Sequence, residues 1–247
     1  MAVVRDVSLP TPDGLVVPGA LALPDDGPSG PRPGVLVVHE LLGLNDDMRR
    51  IAGRFADAGY PTLVPDFLAG LGPKPVCIAR FAAGIGKAGT GEPYRRLAAA
   101  QAWLRVQAAV AGSPIGVAGF CIGGGFAILY AVGADVAVVA PFYAAVPKDP
   151  ATLRGICPTV ASFGGRDRVF RRGKDRLEAT LSDLGVEHDV KCYPAAGHAF
   201  MSRYGGWLDR IGPLLPTRNG YDPAAAEDAW QRTLAFFDRH LGAPARA

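Results

Sequence analysis

A short apolar segment that leads directly into a glycine-rich turn and a helix constrains the fold of this chain more than any other feature. Residues 114–120 consist almost entirely of apolar and small side chains, which is typical of a buried parallel strand. Glycine fills positions 123–125, and a helical segment begins at Ile122. A strand, a tight turn and a helix in immediate succession favour an α/β fold with a parallel sheet.

Short apolar runs and helical segments alternate along the rest of the chain. Beyond 114–120, the predicted strands are residues 34–39, 62–64, 136–139, 159–163 and 188–193, preceded by two extended segments around a turn at 11–14. The predicted helices are one capped at Asn45 and ending at Gly59, the one from Ile122, and residues 93–111, 177–184 and 224–241. Residues 68–91 show no period and form a long excursion. The alternation predicts a single α/β domain over residues 1–247, with a mostly parallel sheet, helices on both faces and an antiparallel N-terminal edge.

Charge and cysteine usage narrow the classes of partner and compartment. The formal net charge is only +3, which argues against nucleic acid or an anionic membrane surface as a partner. The most apolar stretch, residues 131–146, is short for a membrane span and contains Asp135 and Pro141. The chain does not open on a signal-peptide pattern, and its cysteines (Cys77, Cys121, Cys157 and Cys192) form no Cys-x-x-Cys pair. We therefore expect reduced thiols in a cytoplasmic protein.

Cys121 lies at the turn between the strand at 114–120 and the helix from Ile122, where a nucleophile elbow holds its nucleophile. Such a turn needs small residues two positions before and two positions after the nucleophile, and Gly119 and Gly123 meet that need. The amino end of the new helix also favours the thiolate form of the sulfur. The sequence therefore predicts Cys121 as a nucleophile, against the alternative of a buried cysteine at a strand end.

A base and an orienting acid follow in the chain order of nucleophile-elbow hydrolases. Asp167 comes just after the predicted strand at 159–163, and His198 comes shortly after the strand at 188–193. Both lie at the carboxyl ends of strands, where open α/β sheets place their binding sites. We therefore predict Asp167 and His198 as the partners of Cys121 in a catalytic triad.

Glu40 directly follows the predicted strand at 34–39, in a loop that supplies an oxyanion-hole amide in this fold. The backbone N–H groups of Leu41 and Ile122 would then form the hole. This position predicts that Glu40 faces the sulfur of Cys121, and a solvated loop residue is the alternative.

Several motifs together resemble the dienelactone hydrolase family of α/β hydrolases, and the resemblance covers essentially the whole chain. The motif with Cys121 is fairly specific, because most α/β hydrolases carry serine there. The segments that carry the resemblance are residues 39–45, 64–66, 119–124, 163–167, 197–200 and 221–237.

The resemblance implies a single-domain α/β-hydrolase fold and hydrolysis of a small-molecule ester or lactone through a thioester on Cys121. It gives His198 the role of base and Asp167 the role of its orienter, and it pairs Glu40 with the thiol before substrate arrives. It implies no metal and no organic cofactor, and we expect a monomer.

Two positions depart from the family members that take dienelactone. Those proteins carry an arginine in the loop after the strand that ends at residue 66, whereas residues 67–71 contain none here. They also carry an arginine four residues after the histidine, where this chain has Ser202. Arg203 and Tyr204, which follow, are the candidates for substrate contacts. Residues 201–219 are rich in apolar side chains, and we expect them to cap the pocket and favour a more apolar ester.

The residues leave two other classes of function open. One is a thiol-based redox or stress protein on a hydrolase scaffold, with Cys121 as an oxidisable thiolate. A resolving cysteine near Cys121 would favour it, yet Cys157 and Cys192 lie in or beside predicted core strands. The other is a catalytically silent binding protein, which the intact set of Cys121, Asp167 and His198 argues against.

Overall fold

One sheet of eight strands organises the residues that the computed structural model describes, which are 1–11, 14–25, 30–67, 69 and 90–244, without the side chain of Leu208. The strands are β1 Val3–Pro10, β2 Val16–Leu23, β3 Gly34–Val38, β4 Thr62–Pro65, β5 Ile115–Phe120, β6 Val138–Phe142, β7 Thr159–Gly164 and β8 His188–Tyr193. The α-helices are α1 Asp46–Asp57, α2 Glu92–Arg105, α3 Ile122–Tyr130, α4 Gly173–Asp183, α5 Gly206–Ile211 and α6 Pro223–Leu241. Almost all of the predicted excursion at 68–91, with Cys77, lies outside the described residues.

The strands lie in the order β1–β2–β4–β3–β5–β6–β7–β8. Every neighbouring pair from β4 to β8 is parallel, whereas β2 runs antiparallel to both β1 and β4. The mostly parallel sheet and the antiparallel N-terminal edge are therefore confirmed. Because parallel strands share one carboxyl-terminal edge, the loops that follow β3, β5, β7 and β8 meet at the same side of the molecule.

Strand β3 shows how the sheet separates two hydrophobic cores. All of its residues are buried, and successive side chains point to opposite faces. Val35 and Val37 pack in the core that includes buried residues of α1 and α6. Leu36 and Val38 pack in the core that includes buried residues of α2, α3 and α4. Helices on both faces are thereby confirmed, and none of the described helices is both long and apolar enough to span a membrane.

The sequence predicted a helix over residues 93–111, whereas in the structure α2 ends at Arg105. The segment after it turns back toward the amino end of β3. There the amide of Arg32 donates a hydrogen bond to the carbonyl of Ala109 at 2.9 Å, and the amide of Gly34 donates to the carbonyl of Pro114 at 3.0 Å. Helix propensity alone favoured continuation, but these bonds to a central strand determine the path of the chain.

The strand predicted at residues 136–139 lies further along, at Val138–Phe142. Proline has no backbone N–H to donate to a neighbouring strand, so a proline at position 141 disfavours a strand there. In the structure Phe142 pairs with Phe120 of β5, and the two rings stack with centroids 4.7 Å apart. This contact extends the strand past the proline and brings its end beside the nucleophile turn.

Candidate active site

Cys121 occupies a strained turn between β5 and α3. Its φ of 56° and ψ of −121° are a conformation that side chains other than glycine rarely adopt. A Cβ at Gly119 would lie 2.4 Å from the carbonyl oxygen of Gly123, and a Cβ at Gly123 would lie 2.3 Å from that of Val38. Both flanking positions therefore require glycine, as the sequence predicted for a nucleophile elbow.

We expect Gly123→Ala to destabilise the protein by about 3 kcal/mol or more, because the added methyl group meets backbone oxygens of Val38 and His39 that cannot move aside. Gly133→Ala is the matched control, since nothing lies within 4 Å of a Cβ at that exposed position. Its effect should stay within about 0.5 kcal/mol. Urea unfolding of the two variants measures both changes, and equal stabilities would contradict the close approach of the turn to β3.

Backbone hydrogen bonds and the start of α3 fix the surroundings of the sulfur. The amide of Cys121 donates to the carbonyl of Phe142 at 3.1 Å, and its carbonyl accepts from the amide of Gly124 at 3.0 Å. Helix α3 begins at the next residue, Ile122. The partial positive charge at the amino end of a helix favours a thiolate beside it.

His198 and Asp167 form a buried hydrogen-bonded pair. His198 Nδ1 lies 2.7 Å from Asp167 Oδ2, and both side chains are almost fully inaccessible to solvent. The other oxygen of Asp167 accepts hydrogen bonds from the amides of Val169 at 2.9 Å and Phe170 at 3.0 Å. Because those amides anchor the carboxylate, Oδ2 keeps a fixed direction toward the imidazole ring.

The environment of His198 favours its protonated form. Burial lowers the pKa, but hydrogen bonds to Asp167 and Cys121, together with the charges of these two groups, outweigh burial and raise the pKa to about 9. The ring therefore holds a proton at neutral pH. An imidazolium that contacts both a carboxylate and a thiol is suited to stabilise a thiolate and to donate a proton.

Glu40 is buried in the same region, with 1% of its surface exposed. Its Oε2 accepts hydrogen bonds from Tyr204 Oη at 2.7 Å and from Ser202 Oγ at 3.0 Å. Burial raises the pKa of this carboxyl, and the negative charge of Asp47 acts in the same direction, whereas the two hydroxyl bonds lower it. The alternative of a solvated loop residue is therefore wrong, and Glu40 is a buried group with neutral hydrogen-bond donors.

The loop that carries Glu40 and Leu41 is held by a tight turn and by a histidine. The amide of Gly43 donates to the carbonyl of Glu40 at 3.1 Å, and Gly43 has a φ of 80°. His39 Nδ1 lies 2.7 Å from the same carbonyl, so this nitrogen carries the proton. These contacts define the direction of the peptide that precedes Leu41, the residue predicted to supply one amide of the oxyanion hole.

A cavity of about 300 Å³ joins Cys121, His198 and Glu40. Tyr204, the other residue predicted to contact substrate, lines this cavity. Residues 201–219 border it as well, and they contribute Ile211 and Leu215 to its apolar wall. Leu41, Leu42 and Phe170 complete that wall. A larger cavity of about 650 Å³ beside α2 and α3 includes none of the predicted site residues.

Arg203 does not line the cavity, although it was predicted to contact substrate. Its guanidinium donates a hydrogen bond to Tyr221 Oη at 2.6 Å and lies over the Tyr221 ring, 4.4 Å from the centroid. The side chain is exposed, because the ring of Tyr221 holds it on the outer surface.

The described residues contain no group of three histidine, cysteine or acidic side chains that could hold a metal ion. Of the cysteines in the described part of the chain, only Cys121 lines the cavity, while Cys157 packs in the other hydrophobic core. Sequence reasoning missed Tyr143 and the role of Ser202: the two hydroxyls bond to each other, and Ser202 donates to Glu40.

Comparisons with known proteins identify the family and the fold. The model of the dienelactone hydrolase family matches residues 17–241. The carboxymethylenebutenolidase of Rhodococcus opacus is 28% identical over 223 residues, which cover 84% of this chain and 81% of that protein. A crystal structure of a dienelactone hydrolase-like promiscuous phosphotriesterase from metagenomic libraries has a TM-score of 0.82 at 25% identity, covering 98% of this chain and 99% of that one. The dienelactone hydrolase of Anabaena variabilis has a TM-score of 0.71 at 20% identity, over 97% of this chain and 99% of that one, and it shares the fold.

Proposed function

The chain belongs to the dienelactone hydrolase family of α/β-hydrolase fold proteins, and on that premise we propose that it hydrolyses a carboxylic ester or lactone through a thioester on Cys121. The observation that carries the proposal is that Cys121 and His198 line one cavity, while the buried Asp167 bonds to His198. The nucleophile sits in a strained turn at a helix N-terminus, and its base is oriented by a buried carboxylate. That combination is the requirement for nucleophilic acyl transfer.

In the acylation step, the Cys121 sulfur attacks the carbonyl carbon of the substrate and forms a C–S bond. The C–O bond to the leaving group breaks, and the oxygen takes the proton that His198 holds. Because the pKa of His198 is raised to about 9, this proton is present at neutral pH. In a lactone the leaving oxygen stays attached to the acyl group, so the product of this step is a ring-opened thioester.

In the deacylation step, His198 is neutral and takes a proton from a water molecule that attacks the thioester carbon. The C–S bond breaks, a carboxylic acid leaves, and the sulfur and imidazole return to their starting state. Asp167 keeps the Nδ1 proton of His198 in place throughout, so that Nε2 faces the reaction. We assign the backbone amides of Leu41 and Ile122 to the developing oxyanion of both steps.

The raised pKa of His198 predicts how activity depends on pH. The imidazolium is present below its pKa and is lost as the pH rises through about 9. Acylation needs that proton for the leaving group, so kcat/KM for an ester should decline on the alkaline side with a midpoint at about 9. A profile that keeps rising through this range would contradict an imidazolium as the proton donor.

The experiment that tests the proposed function is a panel of aryl esters and enol lactones combined with mass spectrometry of the quenched protein. We expect turnover of at least one compound and a mass increase equal to its acyl group, which peptide mapping locates on Cys121. A neutral phosphotriester belongs in the panel, because one relative is named for that activity. Turnover with no acyl adduct in the wild type, nor in a variant with slow deacylation, would argue against the thioester route.

The same experiment separates hydrolysis from the two other functions that the sequence left open. A redox protein would show a reversible sulfenic acid or disulfide on Cys121 after mild oxidant and no turnover of the panel. A binding protein would show neither. No second cysteine lines the described part of the cavity.

A further inference from the structure

Two hydroxyl groups donate to one oxygen of the Glu40 carboxyl, and a third hydroxyl contacts one of these two. Besides the bonds from Ser202 and Tyr204 to Oε2, Tyr143 Oη lies 3.1 Å from Ser202 Oγ. We call Tyr143, Ser202 and Tyr204 the hydroxyl cluster. Tyr143 and Ser202 are fully buried, so within the cluster only Tyr204 reaches the cavity wall.

The direction of each bond in the hydroxyl cluster follows from the chemistry of its members. An oxygen of Glu40 that bears no hydrogen can only accept, so Ser202 and Tyr204 both donate to Oε2. Ser202 has a single hydroxyl hydrogen, and it is used for Glu40, so Tyr143 must donate to Ser202 Oγ. Ser202 and Tyr204 therefore donate to Oε2, Tyr143 donates to Ser202, and the cluster stabilises negative charge on Oε2.

The second oxygen of Glu40 is left without such support. Oε1 is buried and has no hydrogen-bond partner among the described residues. A buried charged oxygen without a donor costs free energy, so when Glu40 is protonated the proton sits on Oε1 while Oε2 keeps both donors. Glu40 can thus change its charge without breaking any bond to the hydroxyl cluster.

We propose that Ser202 and Tyr204 are positioning residues for Glu40, and that they set the pH range in which its negative charge opposes ionisation of the Cys121 thiol. The inference rests on the proposed function, because it takes Cys121 as the nucleophile. Glu40 and Cys121 line the same cavity. Tyr204 lies within the electrostatic influence of both groups. Burial raises the pKa of Tyr204, and the charges of Glu40 and Cys121 raise it further.

The groups that face Glu40 come from several elements. Its own loop after β3 also carries the titratable His39, whose Nδ1 contacts the backbone carbonyl of Glu40. Asp47 on α1 raises the pKa of Glu40, and His198 after β8 lowers it. Burial has the largest influence and raises it, while the bonds from Tyr204 and Ser202 lower it. Removal of either hydroxyl should therefore shift the ionisation of Glu40 to higher pH.

The test is the pH dependence of Cys121 alkylation by iodoacetamide, with Cys77, Cys157 and Cys192 replaced in every variant. In the otherwise unchanged protein, ionisation of Glu40 should slow alkylation and give an inflection, which Glu40→Gln should remove. Ser202→Ala and Tyr204→Phe should each move that inflection up by about one pH unit, the equivalent of a lost hydrogen bond to a charged acceptor. This measurement needs no substrate, so its outcome is independent of whether any ester in the panel is hydrolysed.

Two controls separate positioning from a general loss of structure. Tyr60→Phe removes the hydroxyl of a buried tyrosine that donates to Asp238 at 2.5 Å. Tyr60 lies just before the amino end of β4, so this variant should leave the inflection unchanged. In the Glu40→Gln background, Ser202→Ala should have no further effect on alkylation, because Ser202 acts only through the charge of Glu40. An inflection unmoved by both hydroxyl deletions, or an equal effect of Ser202→Ala with and without the Glu40 carboxylate, would overturn the proposal.

Discussion

Replacement of Cys121 with alanine is expected to lower kcat for ester or lactone hydrolysis by about 10³-fold or more, as loss of a nucleophile does in other triads. The fold should persist. Alanine has the same Cβ as cysteine, so the strained backbone of the turn, with its φ of 56°, is not strained further. The missing sulfur leaves space that opens into the existing cavity rather than a closed void. We therefore expect the melting temperature to stay within about 3 °C of the wild type.

Cys192→Ala is the matched control for that experiment. Cys192 lies in strand β8 and is partly exposed, and it does not line the cavity. The control should retain full activity, which would separate loss of the nucleophile from loss of any thiol. Activity of Cys121→Ala within tenfold of the wild type would remove the cysteine-hydrolase proposal, and an unfolded variant would be recognised by its circular dichroism.

The proposed catalytic residues could be predicted from the sequence because each of them lies in or next to a recognisable local pattern. Gly119 and Gly123 mark a turn around Cys121 that leaves no room for a Cβ at either glycine. The structure shows the backbone contacts that require glycine at both positions. Asp167 follows β7, which is fully buried, and His198 follows the more polar β8. Parallel strands bring their carboxyl ends together, so their places in the chain predicted that Asp167 and His198 would meet, and the structure has them 2.7 Å apart.

The surroundings of Glu40 could not be predicted in the same way. Ser202 and Tyr204 lie 162 and 164 residues further along the chain, in a segment with no pattern that points to Glu40. Tyr143 follows β6, whose end at Phe142 lies three residues beyond the predicted end at residue 139. Only the packing of β6 against β5 and the path of the chain after His198 bring these hydroxyls together. Tertiary contacts also decided the end of α2 and the outward direction of Arg203.

Replacement of Asp167 with asparagine is expected to lower kcat by about 10³–10⁴-fold with little change in KM. The reason lies in the two amides that hold the carboxylate. Val169 and Phe170 donate to Oδ1, and only an oxygen can accept from them, so the new NH₂ group must face His198. Nδ1 then has to accept rather than donate. In the neutral ring the proton moves to Nε2, the nitrogen that must take a proton from water during deacylation.

The pH profile of the Asp167→Asn variant tests this reasoning beyond the loss of rate. The bond to Asp167 and its charge both raise the pKa of His198, so without them the alkaline limb should move down from about 9. Asp149→Asn is the matched control, because Asp149 caps a short helical turn through the amide of Ala151 and asparagine caps equally well. That control should leave both kcat and the midpoint of the alkaline limb unchanged. If instead KM rose while kcat and the limb were unchanged, Asp167 would be a substrate contact, and the group that orients His198 would have to be sought elsewhere.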